Sequence, residues 1–221
     1  LAVCVGLVVI GGIKRISSVA TVIVPFMAIA YVVFALMLLF SNLDKIPMAV
    51  ELVVKGAFNP SAVTGGIVGT MFIAMQKGVA RGIFSNEAGL GSSTIIHAEA
   101  ENTTPEKQGM WAMFEVFFDT VFLCTIMALV ILVSGSFIPD GELYGAELSV
   151  ASYGILGELG KKGIAILTAV FSFASLISCS FYGEKSAEYL FTHRAIKPYK
   201  ALYLILALTG FIASPQIIWS I

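Results

Sequence analysis

Charge is scarce in this sequence. Lysine, arginine, aspartate and glutamate make up 12% of its 221 residues, where an ordinary soluble domain carries about 25%. With 58% of the residues hydrophobic, there is too little charge to cover a water-facing surface, so a soluble globular domain is excluded. The net charge of −1 offers no field to gather nucleic acid or an acidic partner. Histidine is nearly absent. His97 and His193 are the chain's 2, and they belong to no convergent nucleophile–base pattern, which argues against an enzyme. The three cysteines, Cys4, Cys124 and Cys179, lie far apart in apolar runs with no C-x-x-C spacing, which argues against a disulfide or zinc framework. Neither G-x-G-x-x-G nor a Walker A pattern occurs, so no nucleotide cofactor is indicated. An initiator methionine and a signal peptide are also missing. The chain opens inside an apolar stretch that stops near Ile10, about half the roughly 20 residues a membrane span needs. It is therefore expected to be a piece of a longer membrane protein, one partial membrane domain over 1–221.

What the sequence has in abundance is apolar runs. They cover residues 1–12, 22–40, 62–79, 110–133, 164–182 and 201–219. Such runs predict an all-α, polytopic helical bundle. Between them lie the charges, and alternate linkers must share a side of the membrane. Of the chain's 13 lysines and arginines, only Lys45, Lys55, Lys161 and Lys162 fall in one set of linkers. The others, among them Lys14, Arg15, Lys77, Arg81, Lys107, Lys185, Arg194, Lys197 and Lys200, fall in the opposite set, which is expected to be cytoplasmic.

Three runs carry chemistry. The run 62–79 holds Gly65, Gly66 and Gly69 followed by Thr70. Glycine weakens a helix by about 1 kcal/mol relative to alanine. The cluster fits either close helix packing or a broken helix whose freed backbone lines a cavity. The run 110–133 places Glu115 and Asp119 on one helical face. At about 1.5 Å per residue, Asp119 lies roughly 14 Å in from Met110, near the bilayer midplane. A carboxylate there fits a cation or proton site facing a wet interior, or a structural pair with a basic or hydroxyl partner such as Thr120 or Thr125. In the run 164–182, Thr168, Ser172 and Ser175 share a face. Their oxygens suit a hard cation such as sodium, or small-residue packing between helices.

The linker 81–107 is long for a turn. It reads Arg81-Gly-Ile-Phe-Ser-Asn-Glu-Ala-Gly-Leu-Gly-Ser92 at its start, where Ser85 or Asn86 suits the cap of a short helix. His97 and Glu101 are spaced i, i+4, but two residues do not make a metal site. Asn102-Thr103-Thr104 matches the glycosylation pattern, on the side expected to be cytoplasmic.

The stretch 81–92 resembles a signature of the alanine or glycine:cation symporter family. Gly11-Gly-Ile-Lys-Arg-Ile16, Val24-Pro-Phe-Met27, Gln108-Gly109, Asp119-Thr120, Cys124-Thr125, Phe171-x-Phe173 and Tyr182-Gly-Glu184 look like other parts of the same family, in order along nearly the whole chain. The resemblance implies the fold of the amino acid–polyamine–organocation class, with two inverted five-helix repeats whose first and sixth helices are broken. On that map the chain runs from the fourth helix to the ninth, and the first, second, third and last are missing. Gly65, Gly66, Gly69 and Thr70 then belong to the broken sixth helix that cradles the substrate. Ser175, with Ser172 and the Ala174 position nearby, belongs to the eighth helix, which shares a sodium site with the first. Many members have threonine at the position of Ser175 and tryptophan at that of Cys179. Serine keeps the oxygen, while cysteine enlarges the substrate cavity toward a somewhat larger amino acid.

The expected function is sodium-coupled symport of alanine or a similar small neutral amino acid across the plasma membrane by alternating access. Sodium is the coupling ion and no other cofactor is implied. Expected partners are the amino acid, sodium, the lipid bilayer and the remaining helices of the full-length protein, and no nucleic acid. A proton-coupled carrier using Asp119 is the alternative.

Overall fold

Helix accounts for nearly all of the described backbone, and among the described residues there is no strand. The computed structural model describes residues 1–58, 67–87, 89–137, 143 and 145–210, the side chains of 56–58 and 67–74 excepted. The all-α class expected from the apolar runs is the class observed. Among the described residues, three stretches are long and apolar enough to cross a membrane: Gly12–Phe40 (29 residues), Pro105–Ser134 (30 residues) and Gly145–Phe191 (47 residues). They contain the runs 22–40, 110–133 and 164–182. The runs 62–79 and 201–219 extend into residues outside those described.

The helices outrun the apolar segments that announce them. Helix α1 (Ala2–Ile10) turns at Gly11 and Gly12 into α2 (Gly12–Phe40), so Lys14 and Arg15 sit in the first turns of a helix and not in a linker. Lysine and arginine are good helix formers, and hydropathy marks only where a helix enters lipid. Pro25 lies inside α2, a residue that membrane helices tolerate where neighbours satisfy the freed carbonyl. The stretch between the second and third runs also hides a helix, α3 (Ile46–Phe58). Pro47 stands in its first turn, Glu51 and Lys55 form an i, i+4 ion pair, and Ala49 is fully buried. After α3 come α4 (Ile67–Ser85), α5 (Ser92–Ala98) and α6 (Pro105–Phe117). A π-turn over Phe118–Leu123 joins α6 to α7 (Cys124–Ser134). Short α8 (Gly145–Ser152) and a 3₁₀ turn lead into α9 (Gly157–Phe191), and α10 (Ile196–Gly210) closes the described chain.

The chain divides into two compact units. Residues 1–30 and 166–221 form the first and residues 31–165 the second. In the first, α1 packs on α10. A Cβ on Gly6 would stand 3.6 Å from a Leu204 methyl, ordinary contact distance, and the Tyr203 hydroxyl donates to the Leu176 carbonyl at 2.7 Å. In the second, α3 packs on α7, whose buried face is Ile126, Val130 and Val133. Tyr153 is fully buried there as well.

The corner where α9 begins is shaped by glycine. Gly157 has φ +76 with ψ −164, a region that essentially only glycine occupies. A Cβ on Gly160 would run into the Tyr153 carbonyl and stand 2.7 Å from the Leu156 Cβ. Backbone cannot swing aside as a side-chain tip can. Gly160→Ala should therefore destabilise the protein by about 1–3 kcal/mol, the usual range for overpacking. A thermal-stability assay on the full-length protein should show a melting temperature lower by several degrees. An unchanged melting temperature would mean that this corner relaxes freely.

Candidate functional site

Two groups of polar side chains stand out, one in each unit. The first is built where α4 ends. Ser85 closes α4, and the chain reverses through residues that adopt left-handed backbone: Glu87 at φ 53, Gly89 at φ 77 and Gly91 at φ 80. The reversal is held from within, because the Ser92 hydroxyl donates to the Glu87 carboxylate at 2.7 Å and the Leu90 amide to the Glu87 carbonyl at 3.2 Å. It is held from outside by the π-turn. There the Ser85 hydroxyl donates to Asp119 Oδ2 at 2.8 Å and the Thr120 hydroxyl to Asn86 Oδ1 at 2.9 Å. Two consecutive residues thus clasp two consecutive residues. A π-turn spaces its hydrogen bonds one residue wider than an α-turn, which shifts side-chain register locally, and such bulges are frequent at functional sites. Phe114, Phe118 and Phe122 stack along the same stretch, with centroids 6.1 and 5.0 Å apart.

Below this clasp the linker is tied to α6. Thr104 caps α6, accepting from the Lys107 amide at 3.4 Å, with Pro105 in the first turn. This gives the Asn102-Thr103-Thr104 stretch a structural task. His97 Nδ1 meets Gln108 Oε1 at 2.7 Å and His97 Nε2 lies 3.5 Å from Glu115 Oε2. Gln108 Nε2 donates to Thr103 Oγ1 at 3.1 Å. Of these, His97, Thr103, Thr104, Pro105 and Gln108 border a cleft of about 460 Å³ between α5 and α6. Among the described residues no group of three potential metal ligands occurs, and His97 takes Gln108 and Glu115 as partners in place of Glu101.

The second group lies on α9. Leu167, Ala174, Ile177 and Phe181 are buried, at the spacing of one helical face. Ser172, Ser175 and Cys179 are exposed, three and four residues apart on another face. The Ser172 hydroxyl donates to the Thr168 carbonyl at 2.9 Å, which commits its proton to the helix and leaves its lone pairs directed outward. Among the described residues the Ser175 hydroxyl makes no hydrogen bond.

The expected site residues fall as follows. Ser172, Ser175 and Cys179 share the exposed face, while Ala174 points the other way. Asp119 has a hydroxyl partner, but it is Ser85 and neither Thr120 nor Thr125. Thr120 belongs to the same clasp through Asn86. Ser85 and Asn86 clasp the π-turn and do not cap the next helix, which begins at Ser92 after Gly91. Gly65 and Gly66 lie outside the described residues, and Gly69 and Thr70 belong to α4, their side chains not among those described. Sequence reasoning missed the Ser85–Asp119 and Asn86–Thr120 pairs and the His97–Gln108 bond, because nothing local announces partners so distant in sequence. It also missed the Glu184–Lys200 ion pair, 3.1 Å long with both side chains mostly buried.

Comparison with known proteins bears on what these groups serve. The model of the sodium:alanine symporter family matches residues 1–221. A transporter of Haemophilus influenzae without an assigned substrate is 40% identical to this chain, over 98% of the chain and 48% of the relative. The sodium/alanine symporter AgcS of Methanococcus maripaludis is 38% identical, over 100% of the chain and 49% of the relative. The probable sodium/glutamine symporter GlnT of Bacillus subtilis is 36% identical, over 98% of the chain and 45% of the relative. The chain thus spans about half the length of these relatives.

Proposed function

We propose that this chain, which belongs to the sodium:alanine symporter family, forms part of a membrane carrier that moves a small neutral amino acid together with sodium by alternating access. The observation that carries this reading is the α9 face of Ser172, Ser175 and Cys179. It sets hydroxyl oxygens on a helix long enough to cross a membrane, on a side left exposed by the residues described. Oxygen donors without a full charge suit a hard monovalent cation that must be released in every cycle. Ser175 is the first sodium ligand and Ser172 the second. The relatives' remaining length supplies the opposing helices.

The amino acid is held by backbone at Gly65, Gly66, Gly69 and Thr70. Its carboxylate meets free amides where a helix starts, and its ammonium meets free carbonyls where one stops. Both ligands favour the same conformation, so each raises the other's affinity and they move together. Cys179 lies on the same face as the two serines. Its modest volume leaves room for a side chain longer than a methyl group, and GlnT is a relative named for such a substrate. The clasp at Ser85, Asn86, Asp119 and Thr120 is mechanical. It fixes the end of α4 to the π-turn, so that the two move as one.

The test is uptake of labelled alanine and glutamine by proteoliposomes carrying the full-length protein, with and without an inward sodium gradient. Saturable uptake that needs the sodium gradient is expected, with glutamine accepted beside alanine. Cys179→Trp should then abolish glutamine uptake and spare alanine. Uptake indifferent to sodium but driven by a proton gradient would overturn the sodium assignment.

A further inference from the structure

At the junction of α9 and α10, positive charge collects around a cavity of about 900 Å³. Its polar lining is Arg194, Lys197, Lys200, His193 and Glu184, and its apolar lining includes Ile10, Ala201 and Leu204. The two carboxylates at hand are already engaged. Glu184 pairs with Lys200 at 3.1 Å, and Glu188 with His193 Nδ1 at 2.9 Å. Neither Arg194 nor Lys197 meets a carboxylate among the described residues. The charges also stand at the start of α10, whose first turn has no acidic residue. A helix start is itself partly positive and favours anions over cations. The junction therefore holds an excess of positive charge facing an open cavity, an arrangement that an anion would relieve. Thr192, at φ 74, holds the turn before it in a backbone conformation that residues with a side chain rarely adopt.

The surroundings narrow the anion's identity. Tyr189, Leu190 and Phe191 are 89%, 69% and 71% exposed just before the junction. Exposed aromatic residues beside lysine and arginine at the end of a membrane helix mark headgroup depth. An apolar wall under a cationic rim suits an amphiphile better than a free ion. We propose that this cavity binds the phosphodiester headgroup of an anionic phospholipid, with Arg194 and Lys197 on the phosphate and the acyl chains along Ile10, Ala201 and Leu204. The sequence assigns this end to the cytoplasmic side, where a leaflet rich in anionic lipid supplies the ligand.

The experiment is equilibrium binding of radiolabelled phosphatidylglycerol to the immobilised, detergent-solubilised full-length protein. Unlabelled phosphatidylglycerol, phosphatidylethanolamine and inorganic phosphate serve as competitors. The expected result is displacement by phosphatidylglycerol but not by inorganic phosphate, and only weakly by phosphatidylethanolamine. The Arg194→Gln/Lys197→Gln double variant should bind the label about thirtyfold more weakly, at about tenfold or less per charge removed. Lys161→Gln/Lys162→Gln should bind as the wild type does. Equal competition by phosphatidylethanolamine, or full binding by the double variant, would overturn the proposal. Displacement by inorganic phosphate would overturn it in favour of a site for a soluble phosphate. The wild-type competition decides by itself if the double variant does not fold.

Discussion

Asp119→Ala in the full-length carrier is expected to lower amino acid uptake several-fold, while Asp119→Asn keeps most of it. Asp119 Oδ2 accepts the Ser85 hydroxyl at 2.8 Å. The side-chain oxygen of asparagine reaches the same place and accepts the same proton, losing only the charge. Alanine leaves the Ser85 hydroxyl without its acceptor. The bond is exposed among the described residues, so its loss costs about 0.5–1.5 kcal/mol, the net worth of an ordinary hydrogen bond, and every 1.4 kcal/mol is about tenfold in an equilibrium. Here the equilibrium is between the end of α4 clasped to the π-turn and released from it. If only the clasped form transports, uptake falls with its population. A proton carrier makes the opposite prediction, because asparagine cannot titrate. There Asp119→Asn would abolish proton-driven uptake as thoroughly as Asp119→Ala does. Uptake in parallel proteoliposome preparations therefore separates a clasp from a proton site.

The clasp has a second strand, in which the Thr120 hydroxyl donates to Asn86 at 2.9 Å. Neighbours in one hydrogen-bonded network are not independent. Losing Ser85–Asp119 frees α4 to pull away from Thr120 as well, which is why the alanine variant is expected to exceed the worth of one bond.

This clasp also shows what sequence reasoning reaches. The stretch 81–92 was legible as a family signature. Its purpose was not legible, because Ser85 and Asp119 are 34 residues apart and no periodicity connects them. The placement of Asp119 in the membrane run was readable from hydropathy and helical rise. The π-turn that carries it was not, since no local pattern distinguishes i→i+5 from i→i+4 bonding. Helix α3 escaped notice because its stabilising features are modest: a proline in the first turn, one surface ion pair and a buried Ala49. Hydropathy located the core of α9 but not its ends. Glu158 and Lys161 approach within 3.7 Å on its first turns, and helix continues past the apolar limit on such pairs. The shared face of Ser172 and Ser175 was fully readable, because it follows from helical spacing alone.

That face sets the remaining large effect. Ser175→Ala in the full-length carrier is expected to raise the half-saturating sodium concentration by about tenfold, the worth of one hydrogen-bond-strength ligand at 1.4 kcal/mol. Uptake at saturating sodium should stay near the wild-type level, because the variant weakens ion binding and leaves the moving parts intact. Ser175→Thr keeps an oxygen on the same carbon and should restore the sodium response. Ser172→Ala should act in the same direction but less strongly if its oxygen is the second ligand. Linkage adds a check that packing alone would not meet. If sodium and amino acid stabilise one conformation, Ser175→Ala must weaken apparent amino acid affinity at low sodium and spare it at high sodium. A substitution that merely disturbed the packing of α9 would weaken affinity at both. The Ser175 hydroxyl makes no hydrogen bond among the described residues, so alanine there strands no partner among them. A sodium curve identical to the wild type would remove Ser175 from the ion site, and a loss of uptake at every sodium concentration would assign it to the helix interface instead.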